Sequence, residues 1–325
     1  MFIIENNNHT DESSSFLFNL KKRTLILSLL SITGVSISGY CGHKLGNSIL
    51  NEQERISEID KDNLDLQTII DTTDDMGNSE YQLNWKEIAS IASVEKNNYT
   101  SEINSDDIKR IALLFLDKNT VKSLDEVVEN LDLNKKQKNR IYAYLNDLKN
   151  HGYMPERLAP DSKQMTFINS IKKGAIDSYN SSNILPSITI AQAILESNWG
   201  DSNLTKTANN LFGIKADYYW KGDYVLFDTN EYHNTMIRDK FRKYNSLSES
   251  IKDHSDFLFK NKRYKEHGVF DAKTYKEQAQ ALENAGYSTA EDEHGNKIYA
   301  KMLGQIIRQY NLQLIDWEVT NKKIK

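Results

Sequence analysis

Between Leu185 and Gly200 the run LPSITIAQAILESNWG holds a single ionisable side chain, Glu196, in what should be the last turn of a helix. Reading back from it along the same helical face gives Ala193, Gln192 and Thr189, so that face offers the carboxyl no cation. Desolvation, the negative end of a helix dipole and the lack of a nearby positive charge all raise a carboxyl pKa. An acid still protonated near neutral pH is the proton donor that glycosidic bond cleavage requires. The competing reading is a structural glutamate whose carboxylate accepts backbone or asparagine hydrogen bonds.

The elements that must hold this residue can be read around it. Pro186 suits the first helical position and Gly200 the exit, and the helix between them is apolar nearly all round, which predicts burial. Upstream, KQMTFINSIKKGAIDSY places Met165, Ile168, Ile171 and Ala175 on one helical face. Downstream, YYWKGDYVLFDTNEY and MIRDKFRKY have strand character, with turn signals at Lys221-Gly222-Asp223 and His233-Asn234-Thr235. Ser246-x-x-Glu249 and Thr274-x-x-Glu277 open two further helices, Gly286 suits a C-cap, and KIYAKMLGQIIRQYNL forms the last helix. Helices with one short inserted antiparallel sheet predict an α+β fold of the lysozyme kind. His233, His254, His267 and His294 lack metal-ligand spacing, and the single cysteine, Cys41, excludes a disulfide framework or a cysteine-built zinc or iron–sulfur site. No metal or cofactor is implied.

The segment Ala191–Gly200 followed by Asn210-Leu211-Phe212-Gly213-Ile214-Lys215 resembles the glucosaminidases of glycoside hydrolase family 73. Thr229–Tyr232, Phe241–Tyr244, Ser248-Glu249-Ser250 and Ala285–Thr289 resemble that family's later blocks in the same order, so the likeness runs from about Lys163 to Ile315. Asn198 stands where the family often has Gly, and Ser288 where it often has Ala; neither removes a reactive group. The resemblance implies a lysozyme-like domain over 161–316 that hydrolyses the β-1,4 bond after N-acetylglucosamine in peptidoglycan. It implies Glu196 as general acid, Glu231 as second carboxylate on the sheet lobe and Tyr287 as an active-site tyrosine. Trp199, Phe212 and Tyr232 become candidates for stacking on sugars, and Asn210 for substrate binding. For Trp199 and Phe212, plain core packing is an equal reading. Glu249 also matches, but its capping-box position favours a structural role. Glu231 lies in a polar strand-and-turn segment that keeps it ionised, as a base or as an electrostatic stabiliser, and attack by a substrate N-acetyl group would make it less decisive.

The rest of the chain of 325 residues reads differently. Residues 1–153 carry 17 Lys and Arg against 24 Asp and Glu, and residues 154–325 carry 24 against 22. Neither half is the basic body of a nucleic-acid binder. Thr24 to Gly42 has no formal charge and follows Lys21-Lys22-Arg23. That pattern predicts a transmembrane anchor over 24–45 with residues 1–23 cytoplasmic and the remainder outside, facing the cell wall. A cleaved signal peptide is the alternative, since Ser36-Ile37-Ser38 is a small-x-small triplet. Residues 46–82 read as an acidic stalk, 83–153 as a small all-α domain without chemistry that could dock a protein partner, and 317–325 as a tail. The Lys135–Lys138, Arg238–Lys243 and Lys260–Lys265 basic runs read as solvated faces. Three functions follow: a membrane-tethered wall glucosaminidase, an inactive glycan-binding scaffold, and a lytic transglycosylase on the same fold. Action on N-linked glycans ranks below them.

Overall fold

The computed structural model describes residues 53, 55–118, 120–231 and 235–322, and for 228–231, 235–237 and 322 the backbone alone. The chain divides into two units, Met1–Ile49 and Leu50–Lys325, and the described residues all fall in the second. The expected anchor and Cys41 lie outside the described residues, among which no helix is long and apolar enough to cross a membrane.

The first part of this unit is helical: α1 (Leu66–Met76), α2 (Trp85–Glu95), α3 (Ser105–Phe115), α4 (Leu124–Asn130) and α5 (Lys135–Asp147). Its starts are written locally. Asn104, Ser123 and Asn134 each close a reciprocal capping box, as Ser123-x-x-Glu126 predicts. Two expectations are corrected here. The region is not wholly α, because Leu116–Asp117 (β1) and Thr120–Val121 (β2) pair as a very short antiparallel sheet. Nor is 46–82 a free stalk, because Ile59, Leu64, Ile69 and Ile70 are buried in one core with Trp85, Ile88, Ile111 and Tyr144. From α1 itself Ile69 and Ile70 enter this core, and Thr73 and Asp74 of the same helix are buried with them.

The second part contains α6 (Lys163–Ser182), α7 (Pro186–Ser197), α8 (Asn203–Ala208), the hairpin β3 (Tyr224–Glu231) and β4 (Thr235–Arg242), then α9 (Leu247–Lys260), α10 (Lys262–Glu266), α11 (Tyr275–Asn284), α12 (Tyr299–Gln309) and α13 (Gln313–Lys322). The architecture is a mostly helical α+β fold, with α7 packed against α6, α12, α11 and α13. β3 and β4 are antiparallel from Tyr224↔Arg242 to Glu231↔Thr235. The apolar stripe expected of α6 is buried: Ile168, Ile171 and Ala175 are at most 1% exposed. The last helix is shorter than its pattern suggests. Asn311 turns left-handed at φ +53°, Leu312 is buried, and a new helix runs through the segment expected to be a tail, with Lys172 paired to Glu318 at 3.1 Å.

The two parts join through polar contacts. The Tyr275 hydroxyl donates to buried Asp74 at 2.6 Å, and the Gln82 amide donates to the same carboxyl at 2.9 Å. Trp85 Nε1 donates to Asn311 Oδ1 at 3.3 Å, while Asn311 Nδ2 donates to the His151 carbonyl at 2.9 Å. Arg308 faces Asp71 at 3.7 Å and Lys276 pairs with Asp75 at 2.7 Å. Gly152 lies at this junction, beyond the end of α5 at Asp147 and its cap Leu148. A Cβ at Gly152 would come within 2.6 Å of Leu158 Cδ1 and 2.9 Å of Asn311 Nδ2, so a larger residue would have to push both side chains aside.

Candidate active site

Helix α7 is fixed at both ends. Pro186 occupies its first turn, but no side chain of its own neighbourhood caps it. The cap comes from 129 residues away: Asp316 Oδ1 accepts from Ser187 N at 2.9 Å, and Asp316 Oδ2 accepts from the Ser187 hydroxyl at 2.5 Å. A carboxyl group there satisfies orphan donors and complements the positive end of the helix. At the other end Asn198, Trp199 and Gly200 are all left-handed, at φ +49°, +61° and +74°. The expected exit glycine is therefore preceded by two non-glycine residues in the same region. Asn198 is tolerated where the family often has Gly, because asparagine is the other residue that enters this conformation readily. A Cβ at Gly200 would lie 2.7 Å from the Phe167 ring.

This reversal leaves Glu196 at the helix end with its side chain open to solvent. It is also hemmed in by protein. Desolvation raises its pKa above the ordinary glutamate value, while a hydrogen bond with the Tyr299 hydroxyl pulls it partly back. The accessible surface decides that a substrate oxygen can reach the carboxyl, and the surrounding mass decides the direction of its pKa. Gln192, one turn back on the same face, donates through Nε2 to the Tyr299 oxygen at 3.0 Å. Tyr299 opens α12, is 1% exposed, and stacks on Tyr287 with ring centres 5.3 Å apart. Tyr287 in turn hydrogen-bonds to Tyr299. Burial drives both phenols well above their ordinary pKa, so both stay protonated. The Tyr287 hydroxyl also meets His254 Nε2 at 3.1 Å, and the His254 ring stacks on Phe212 at 3.9 Å. Burial pushes His254 down to about 3, so the imidazole is neutral.

The structure sorts the expected residues. Tyr287 stands with Glu196. Phe212 is buried against His254, so its ring builds the site from behind. Trp199 meets Phe167 and Tyr310 edge-on at 6.0 and 4.8 Å and is a packing residue. Asn210 is 1% exposed and fully engaged: Nδ2 donates to the carbonyls of Ile214 and Arg242, and Oδ1 accepts from Ile214 N. It fastens the 210–214 turn to β4 and has no N–H left to donate to a ligand. Glu249 accepts from Asn245 N at 3.0 Å while Ser246 caps α9, which is the structural role expected. Glu231 closes β3 opposite Thr235 in the register, its side chain is outside the described residues, and Tyr232 is outside them altogether. Of the basic run 238–243, Arg242 is structural, with both Asp253 oxygens on its Nη1 at 3.0 and 2.8 Å.

Sequence reading missed Tyr299 and left His254 unassigned. Both occupy apolar helical faces, where the pattern announces packing and says nothing of a hydroxyl or ring nitrogen. Gln192 was legible by its spacing from Glu196, though only as a neutral neighbour. Tyr218 and Tyr219 were also overlooked; they are 87% and 81% exposed, on a turn held by Asp217 Oδ1, which accepts from Tyr219 N and Trp220 N at 3.0 Å each.

Residues 172–312 match the family described as Glucosaminidase, mannosyl-glycoprotein endo-beta-N-acetylglucosaminidase. The chain is 40% identical over 171 residues to exo-glucosaminidase LytG of Bacillus subtilis, a match spanning 50% of this chain and 56% of that one. It is 38% identical over 129 residues to peptidoglycan hydrolase FlgJ of Escherichia coli, spanning 38% and 39%. The chain thus spans about half, or less, of the curated relatives it matches. The catalytic domain of the autolysin Auto from Listeria monocytogenes is 39% identical, with a TM-score of 0.41, 47% of this chain covered and 87% of that one. Residues 172–312 of this chain belong to the glucosaminidase family.

Proposed function

We propose that the chain is a peptidoglycan glycosidase that cleaves the β-1,4 bond after N-acetylglucosamine, with a lysozyme-like domain over 161–316. The observation that carries this reading is Glu196: a carboxyl open to solvent, raised in pKa by the protein around it, and held by one phenol donor. In the reaction the bond between the anomeric carbon and the bridging oxygen breaks. Glu196 gives its proton to that oxygen, and water supplies hydroxide to the anomeric carbon and a proton to restore the acid. As Glu196 becomes a carboxylate, the Tyr299 hydroxyl stabilises the charge. Glu231, on the hairpin lobe, is the second carboxylate, acting as the base for water or as a stabiliser of the oxocarbenium-like state. Tyr287 borders the acid, and exposed Tyr218 and Tyr219 offer sugars a better surface than Trp199 or Phe212, whose rings are spent on packing.

The same proposal places the protein at the outer face of the cytoplasmic membrane, tethered by residues 24–45 and facing the wall. The uncharged run after three cations supports that placement. The deciding experiment digests peptidoglycan with the full chain and reduces the products with borohydride. Reduced N-acetylglucosamine ends are expected. Reduced muramic acid ends would make it a muramidase, anhydro-muramic products a transglycosylase, and no new ends a scaffold.

A further inference from the structure

We propose that the groove where α2 and α5 meet α13 is a second binding site, for a short peptide with a free carboxylate, and that its occupant is the stem peptide of peptidoglycan. The choice of occupant rests on the proposed reaction. The groove itself lies wholly outside residues 172–312, the stretch of the family match.

The groove holds about 380 Å³, and one of its walls is Lys86, in the first turn of α2 and only 6% exposed. A lysine buried this far ordinarily has a carboxylate beside it, because an uncompensated charge is costly away from water. Lys86 forms no ion pair among the described residues. Its ammonium donates to the Lys149 carbonyl at 2.7 Å and lies 5.4 Å from the centre of the Trp85 ring, which leaves it N–H groups to donate elsewhere. Glu87, next in the chain, is no counter-charge: burial raises its pKa to about 8, and adjacent residues on a helix point to different sides. Burial lowers the Lys86 pKa only to about 8, so the group is still a cation at neutral pH.

The remaining walls fit a peptide. Leu145, Leu314 and the Trp317 ring give the groove an apolar side, and Leu314 is anchored by packing against the core of the helical part. Tyr142 also borders it, with its hydroxyl donated to Asp125 at 2.8 Å. Asn146 and Lys149, both exposed, add an amide and a second ammonium at the rim. The one acid of the lining, Glu318, is held by Lys172 at 3.1 Å. The balance of charge is therefore positive and complements a carboxylate, while the amide and the apolar wall suit the peptide that bears it. A groove of this size has room for a few residues, which is the scale of a small ligand site rather than of a protein interface. Peptidoglycan strands carry short acidic peptides, so the groove holds the polymer through its peptides, apart from the glycan that is cut.

The test is isothermal titration of the full chain with the stem tetrapeptide freed from peptidoglycan by an amidase, a probe that has no sugar and no glycosidic bond. Wild type should bind it. The same peptide with its carboxylates converted to amides should bind about tenfold more weakly or worse, the scale of one charge-assisted hydrogen bond. Lys86→Met keeps the stem without the charge and should show the same loss. Trp317→Ala and Asn146→Asp, at positions solvent already reaches, should each weaken binding by a smaller factor, and they decide the matter if Lys86→Met does not fold. Equal binding in wild type and every folded variant would overturn the site. So would acetate competing as strongly as the tetrapeptide, because no peptide would then be recognised. A melting temperature that falls in Lys86→Met with peptide binding intact would make the lysine a strut for the end of α5 and also overturn the site. If wild type binds the tetrapeptide but releases no N-acetylglucosamine ends, the proposed reaction falls and the site stands. Release of those ends without tetrapeptide binding leaves the reaction and removes the site.

Discussion

The junction between the two parts, and the two ends of α7, hold carboxyls perturbed by the same cause and put to different ends. At the junction Asp74 is 8% exposed, desolvation raises its pKa, and both its oxygens are taken, by Tyr275 and by Gln82. At the head of α7, Asp316 is fully buried, pushed up to about 7 by burial, and saturated by Ser187. At the other end of α7, Glu196 is also raised by desolvation, yet solvent reaches it and its one named partner is a phenol. A raised carboxyl pKa therefore does not mark the acid. What sets Glu196 apart from Asp74 and Asp316 is a raised pKa together with exposure to solvent, the combination on which its proposed role rests.

The sharpest way to break this contrast sets Glu196→Gln against Asp74→Asn. The first should cut turnover by about 10²- to 10⁴-fold, the usual worth of a general acid, and leave thermal stability near wild type. The second should leave turnover per folded molecule unchanged and lower the melting temperature. Equal loss of rate in both would erase the distinction. The next effect is a pH dependence of stability. Between the unfolded carboxyl pKa near 4 and about 7, native Asp316 keeps a proton that the unfolded chain has released, so stability falls as pH rises through that window. The penalty approaches about 4 kcal/mol on the alkaline side. Asp316→Asn does not titrate, so its stability relative to wild type in urea unfolding should climb with pH across the same range. A gap that stays flat would mean that Asp316 is ionised in the fold throughout. The smallest effect is at the junction: Tyr275→Phe strips one donor from Asp74 and should cost about 1–3 kcal/mol of stability, with kcat untouched.

Much of this is legible in the residues alone. Helix starts were, because Ser123, Ser246 and Thr274 cap through bonds three residues long. So was the apolar helix with one carboxyl at its end, since both features are local. The cap of α7 was not, because Asp316 is distant in sequence and reads as one more acidic residue near the C-terminus. The stalk was misread for a related reason: Ile59, Leu64, Ile69 and Ile70 make a thin stripe whose burial depends on a partner core elsewhere. At the site, residue types that announce chemistry were found, and residues that act through a hydroxyl or neutral ring on an apolar face were not. Trp199, Phe212 and Asn210 show the converse. Motif position put them in the active-site list, and their contacts turn out to be with the protein itself.

Helix α12 begins with Tyr299 at the acid and carries Arg308, opposite Asp71, near its far end, with Asn311 and its bond to Trp85 just beyond. One rod of about 16 Å thus reaches from beside Glu196 to the helical part. Cutting the gene near residue 155 would separate polar groups that now pair across the junction. It would leave Asp74 and the Trp85 ring nitrogen without these partners on one fragment and strand Arg308, Tyr275 and Asn311 on the other. For anyone building chimaeras, moving the two regions as a pair keeps every one of these bonds in place.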